Sequence, residues 1–290
     1  MNGPASSRAH DHHVIDLHLH TTASDGLLPP AALVGRAASA GLTIISITDH
    51  DTVAGLREAS ATAVPLGVRV VAGIEATAVE QGRDVHILGY FLEPDATALA
   101  SFLGAQRADR VRRVREMAGR LEAMGCNVDV DAVLATASGT RSLGRPALAD
   151  ALVAAGHAVD RQDAFARWLG AGRPAFVPRR GVSGAEAIDI IHRAGGIAAL
   201  AHPVLLADDE MIPRLAADGL DALEVWHADH DEQARQHYAA IARRLDLAMS
   251  GGSDFHGDGG HHAVALGLVT LPPDEFAHLE SRRASPSSSA

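Results

Sequence analysis

Residues 14–26 read VIDLHLHTTASDG, and the first seven of them decide how the rest of the chain is read. Apolar and polar residues alternate from Val14 to His20 as in a short strand, so His18 and His20 project to one face while Leu17 and Leu19 point to the other. Helical spacing follows from Pro29 to Ala40, then a second β-rich run from Leu42 to Thr48. The same beat predicts a helix over 53–66, a strand over 68–74 and a hairpin over 77–92 turning at Gln81-Gly82-Arg83. From Asp95 to about Arg180 helix follows helix, with turn signals at Gly125, Gly139, Gly156 and Gly170. The alternation resumes after Ser183: helix 184–194, strand 197–201, helix 209–218, strand 222–226, helix 231–245 and a strand ending near Ser250. Repeated βα units interrupted by a helical block predict an α/β fold, a (β/α) barrel more than a doubly wound sheet. The expected divisions are 14–94 and 181–283 for the barrel and 95–180 for the insertion, with flexible tails at 1–13 and 284–290.

Composition narrows the chemistry. Of 290 residues, 47% are hydrophobic and 21% charged, the balance of a globular chain. The 25 basic and 36 acidic side chains give a net charge of −11, and all 25 basic residues are arginine. Without lysine there is no Schiff-base chemistry and no lysine-dependent P-loop. The acidic balance argues against duplex DNA, although small anions remain candidates. Cys126, the single cysteine, excludes an internal disulfide framework. No window approaches the ~18 apolar residues of a membrane span, and MNGPASSRAHDHH lacks the apolar core of a signal peptide, so the expectation is a cytoplasmic protein.

Seventeen histidines are many for this length, and their positions matter more than their number. His18 and His20 close the first predicted strand, Asp49 and His50 the second, Glu75 the third and His202 a later one, while Asp254 and His256 follow the last. In a barrel the carboxyl ends of the strands converge on one face. With Asp25 and His86, the set of potential ligands is His18, His20, Asp25, His50, Glu75, His86, His202, Asp254 and His256. A lone histidine at a strand end is usually a surface or capping residue. Nine such groups are too many for that explanation and too many for one ion, so two or three divalent metals are implied. Imidazole and carboxylate suit manganese, iron or zinc. Glu75 is suited to bridge two of them. Asp16 and Asp49 read as turn residues or as partners that orient ligand rings, and His10, His12 and His13 as solvated tail.

At this point DLHLHTTASDG (16–26), ITDHDT (47–52), GIEAT (73–77), VHILGY (85–90), AHP (201–203) and GSDFH (252–256) together resemble the polymerase and histidinol phosphatase (PHP) family. Within it they resemble the branch of 3′,5′-nucleoside bisphosphate phosphatases and 5′-to-3′ exoribonucleases, over about 14–257. The resemblance implies a distorted (β/α)7 TIM-like barrel. It implies one metal on His18, His20, Glu75 and Asp254, a second on Glu75, His86 and His202, and a third on Asp25, His50 and His256, with Mn2+ first and Fe2+ or Zn2+ as alternatives. Asp25 stands where histidinol phosphatases of the family often carry histidine, which favours the nucleotide branch.

The resemblance further implies that Arg145, with Arg173 and Arg179, binds substrate phosphate through guanidinium forks, and that His230 lies near the metals in a substrate or acid role. His227 is the less certain neighbour. Ala147 stands where related sequences commonly have histidine, and the arginine run 107–120 reads as a solvated helix face. The implied reaction is loss of the 3′-phosphate of a 3′,5′-bisphosphonucleoside by attack of a metal-bridging hydroxide, with Glu75, Asp254 and His230 at the chemistry. Alternatives are 5′-to-3′ trimming of short RNA, histidinol phosphate hydrolysis and a noncatalytic metal-binding scaffold. The expected partner is a small nucleotide or short RNA, with no duplex DNA and no membrane, and the oligomeric state is left open. Aromatics at 3% disfavour extensive base stacking, and core packing is the expected role of Trp226 and Phe255.

Overall fold

A computed structural model describes residues 13–136, 143–258 and 264–283. The chain begins β1 (Ile15–Leu19), α1 (Pro30–Ser39), β2 (Ile44–Ile47), α2 (Leu56–Ala63), β3 (Arg69–Glu80) and β4 (Arg83–Tyr90). The insertion carries α3 (Thr97–Ala123), α4 (Val130–Thr136), α5 (Arg145–Ala154) and α6 (Arg161–Ala164), which widens into a π-helical turn over Phe165–Leu169. Then come α7 (Gly184–Arg193), β5 (Ile197–Leu200), α8 (Pro203–Leu206), α9 (Met211–Ala217), β6 (Ala222–Trp226), α10 (Glu232–Arg244), β7 (Ala248–Gly251) and α11 (Pro273–Ser281).

The seven strands pair in chain order, β1 through β7. All neighbours are parallel except at β4, which runs antiparallel to both β3 and β5. A bridge between Leu19 and Phe255, with His20 N donating to Phe255 O at 3.0 Å, brings the two ends of the sheet together into a nearly closed barrel. Because β4 runs the other way, its early residue His86 comes to the end where the parallel strands finish. The strand expected over 68–74 continues to Glu80, so Glu75 lies inside β3 rather than at its end. The reason is the hairpin: β3 keeps pairing past Glu75, with Thr77 opposite His86 and Glu80 opposite Arg83. The helix expected over 53–66 is also shorter, ending at Ala63 and tightening to a 3-10 turn at Val64–Leu66 around Pro65.

Helix starts follow local chemistry. Ser183 and Glu186 form a reciprocal capping box at α7, and Asp231 caps α10 by accepting from Ala234 N at 2.8 Å. The outer apolar faces of these helices pack on the strands through Ile188, Ile191, Tyr238 and Ile241. Leu99 and Phe102 of α3 belong to that same core, whereas Val114, Met117 and Leu121 of the same helix join Leu148, Leu152, Leu169 and Val177 in a separate one. One long helix therefore roots the insertion on the barrel and supplies its core. Phe276 and Leu279 of α11 close a further cluster with Tyr90, Ala199 and Ala222. Phe255 is fully buried, as core packing requires. Among the described residues no helix is long and apolar enough to cross a membrane.

Candidate metal centre

His18 and His20 leave β1 on one face, and each presents Nε2 to the same two carboxylates. His18 Nε2 lies 3.3 Å from both Glu75 Oε2 and Asp254 Oδ1, and His20 Nε2 lies 3.2 and 3.1 Å from them. The other oxygen of Glu75 faces His86 Nδ1 at 2.6 Å and His202 Nε2 at 3.0 Å, while His50 Nδ1 sits 3.1 Å from Oε2. Asp25 completes a third group, with His256 Nε2 at 3.3 Å and His50 and His20 at 3.7 Å. All nine residues singled out from the sequence thus meet at one end of the barrel, although they span positions 18 to 256. Glu75, 1% exposed, is at the centre.

Local structure explains the convergence. Asp49 accepts from Thr21 N and Oγ1 at 2.7 Å and from Ser24 Oγ at 2.6 Å, folding the loop that carries Asp25. Gly26 is needed in that loop, since a Cβ there would stand 2.4 Å from His20 O. Asp16 accepts from Ser253 N and Oγ at 2.9 and 2.6 Å, tying β1 to the turn before Asp254. Neither aspartate orients a ligand ring, which corrects one of the two expectations for them; both hold backbone. The ring is oriented by Glu224, which the sequence did not single out: its Oε1 accepts from His18 Nδ1 at 2.9 Å and its Oε2 from His202 N at 2.7 Å. His202 and Asp254 adopt φ of 27° and 53°, left-handed values that cost a non-glycine residue free energy and are concentrated at functional sites.

The donor set fits cations. His20 Nε2 and Asp254 Oδ1 are both buried and close, yet neither makes an aligned hydrogen bond; their lone pairs converge on common space instead. Burial pushes the Glu75 carboxyl up, but the charges of His50, His86 and His18 outweigh it and hold the group well below the carboxylate range. Burial likewise opposes charge on His20, yet Asp254 and Glu75 push it up to about 10. The field at this point favours positive charge, which divalent metals supply when bound. His50, by contrast, is held down to about 3, chiefly by burial, and keeps a free imidazole lone pair. Three ligand groups are geometrically available: His18, His20, Glu75 and Asp254; His50, Glu75 and His86; His20, Asp25, His50 and His256. Glu224, His18 and His227 form a fourth cluster behind the first.

The cluster opens into a cavity of about 1050 Å³ shared with the insertion. Asp25, His50, His86 and His202 line it, as do Arg110, Arg113, Arg145 and Arg179. Ala147, in the place of the family histidine, lines it too. Arg179 Nη1 reaches Asp51 Oδ2 at 3.1 Å, and Arg110 pairs with the same oxygen. Two expectations change here. Arg173 is exposed and is not part of the cavity wall, because Gly170 and Gly172 turn its segment outward before Val177 re-enters the core. The run 107–120 is not simply a solvated face: Arg113 is 6% exposed, and Arg110 is half-buried against Asp51. His230 also departs from expectation. Its Nδ1 donates to Val225 O at 2.8 Å and its ring meets His227 and Tyr238, whereas His227 Nε2 stands 3.5 Å from Asp254. The structure therefore brings His227, not His230, to the carboxylates. His10, His12 and Arg141 lie outside the described residues, and His13 is exposed.

Comparisons with known proteins agree with this geometry. The model of the PHP domain matches residues 16–142. A 5′-3′ exoribonuclease of Haemophilus influenzae is 36% identical over 246 residues, covering 83% of this chain and 89% of that protein. A 3′,5′-nucleoside bisphosphate phosphatase of Chromobacterium violaceum is 34% identical, over 92% of this chain and 97% of its own length. A crystal structure from Bifidobacterium adolescentis, described as a metal-dependent phosphoesterase, superposes with a TM-score of 0.82 at 36% identity, over 95% of this chain and 98% of that one. With relatives of this identity spanning nearly its whole length, the chain belongs to the PHP family and is a metal-dependent hydrolase of phosphoesters.

Proposed function

We propose that the protein removes the 3′-phosphate of 3′,5′-bisphosphonucleosides, such as 3′-phosphoadenosine 5′-phosphate. The observation that supports this reading is one cavity with two kinds of wall: imidazoles and carboxylates at the barrel end, arginines from the insertion at 95–180. Two or three divalent cations, Mn2+ first with Fe2+ or Zn2+ as alternatives, supply charge neutralisation and water activation when bound. His18, His20, Glu75 and Asp254 hold one, Glu75 with His86, His50 and His202 a second, and Asp25, His50 and His256 a third. Glu75 and Asp254 fix the spacing of the reacting centre. The cavity arginines neutralise charge on the substrate and orient it, with Arg145 facing phosphate. The barrel's other inner wall, closed by Ala199 and Ala222 below, excludes water from beneath.

Phosphate release from 3′-phosphoadenosine 5′-phosphate with added Mn2+, compared with histidinol phosphate and a 5′-phosphorylated RNA oligomer, tests the reading. Preferential turnover of the bisphosphonucleoside, abolished in His202→Ala, is expected. Preference for the oligomer would replace it with the exonuclease reading, which the cavity's opening into the apolar side of the insertion also favours. Metal uptake without turnover of any phosphoester would leave only a metal-binding scaffold.

A further inference from the structure

Four arginines line the cavity, but only two of them have carboxylates to answer their charge. Asp51, buried and held by Thr77 N and Oγ1 at 2.7 and 3.0 Å, takes both Arg110 and Arg179. Asp84 adds a second carboxylate 3.5 Å from Arg179 Nε. Arg113 and Arg145 form no ion pair among the described residues. Arg113 donates Nε to Val177 O at 3.2 Å, which leaves its terminal fork uncommitted. Arg145 is held by its faces, with the guanidinium carbon 5.7 and 5.6 Å from the Phe165 and Phe176 ring centroids. Aromatic faces fix the plane of a guanidinium without using its N–H edge.

Two buried cations without counter-charge are costly, and they disfavour one another. Burial pushes Arg113 down to about 10, with Arg179 and Arg145 adding to the effect; burial lowers Arg145 as well, against the pull of Asp84. A fully desolvated guanidinium with a free fork, next to a second one locked in orientation, is built to receive a planar or tetrahedral dianion. Both residues come from the insertion, α3 and α5, while the metal cluster belongs to the barrel.

We propose that Arg113 and Arg145 form a second anion subsite that takes a phosphate dianion distinct from the one being hydrolysed, with Arg110 and Arg179 acting through Asp51 to hold the wall in place. This deepens the bisphosphonucleoside reading and rests on it for the reaction. The subsite selects substrates with two separated anionic groups over those with one. Ala132, Val133, Ala147 and Ala151 line the same cavity and offer apolar surface to whatever joins the two anions.

The test uses binding and turnover separately. AMP and adenosine are titrated by calorimetry into the metal-free wild type, Arg113→Gln, Arg145→Gln and the exposed control Arg173→Gln. Steady-state kinetics then compare 3′-phosphoadenosine 5′-phosphate with p-nitrophenyl phosphate, which carries one phosphate, in the Mn2+-loaded proteins. AMP affinity falling tenfold or more in Arg113→Gln and Arg145→Gln, with Arg173→Gln unchanged, is expected. KM for the bisphosphonucleoside should rise by a similar factor while kcat/KM for p-nitrophenyl phosphate stays within twofold, and Arg113→Lys should recover part of the loss. Unchanged AMP affinity in both variants overturns the subsite, as does an equal loss on both substrates in proteins that melt like wild type. If wild type binds AMP through Arg113 yet does not hydrolyse the bisphosphonucleoside, the subsite stands and the substrate assignment fails.

Discussion

Glu224 Oε1 lies 2.9 Å from His18 Nδ1, at the side of the ring away from the ligand cluster. A carboxylate only accepts, so Nδ1 carries the proton and Nε2 is left as the lone-pair donor facing Glu75 and Asp254. The other oxygen of Glu224 takes the His202 backbone N–H at 2.7 Å. One buried carboxylate thus sets a ring on β1 and a backbone turn after β5. Glutamine in its place has a single accepting oxygen and cannot satisfy both. Glu224→Gln should weaken metal affinity roughly 10- to 100-fold. Metal titration followed by elemental analysis checks it, and an unchanged affinity would show that Glu224 does not orient the site.

Removing metal should matter for folding as well as turnover. Glu75, Asp254 and Asp25 face one another across the cluster, and only protonated histidines answer them without cations. A ligand that binds the native state alone stabilises it by about 2.7 kcal/mol at a hundredfold excess over its dissociation constant. Melting in chelator against melting in Mn2+ should show a rise of several degrees with metal, alongside loss of phosphatase activity in chelator.

Asp51 ties the insertion to the barrel through Arg110 and Arg179. Burial favours its neutral form, but the two guanidinium groups outweigh burial and keep it ionised. Asp51→Asn leaves two cations facing a neutral amide, a change that costs about 3–5 kcal/mol for buried pairs. Urea denaturation should report a loss of that order, together with faster proteolysis within 97–180.

Gly252 sits where β7 meets β1. A Cβ at that position would stand 2.3 Å from His18 N and 2.6 Å from His18 Cβ, and backbone cannot yield as a flexible side chain can. Gly252→Ala should destabilise the protein by about 1–3 kcal/mol through overpacking at the seam. A melting temperature equal to wild type would mean the seam opens freely.

His192 Nε2 donates to Asp221 Oδ2 at 2.7 Å, and that hydrogen bond raises its pKa above the ordinary 6.5. A raised folded-state pKa gives stability that is complete below the unfolded value and disappears as pH rises through the folded one. The pair is partly exposed, so the effect is at most ~0.2–1 kcal/mol. His192→Gln should flatten that slope in stability measured from pH 5 to 9, leaving the alkaline value unchanged.

The strand rhythm and the ligand inventory were legible in the linear chain. Alternation in VIDLHLH put His18 and His20 on one face, and the βα beat placed His50, His202 and Asp254 at the same end as Glu75. Local periodicity reports which residues share a face, and a barrel then brings those faces together. Other features needed the tertiary structure. β4 was readable as half of a hairpin, but its antiparallel entry between β3 and β5 is what swings His86 to the cluster.

Glu224 appears in the chain as one polar residue in the strand ALEVW, and nothing local says that two histidines from distant strands will lean on it. Arg113 belongs to an arginine-rich helix that reads as solvated, while Arg173 stands in a basic stretch that reads as a site. The structure reverses them: α3 is covered by Val177 and the segment beside it, and Arg173 turns out to solvent. The sequence by itself determined the barrel rhythm and which donors line its rim, because side-chain direction in a strand follows from neighbouring residues alone. Which charges are buried, paired or left to bind an anion was decided only in three dimensions, because burial depends on what a distant segment lays across them.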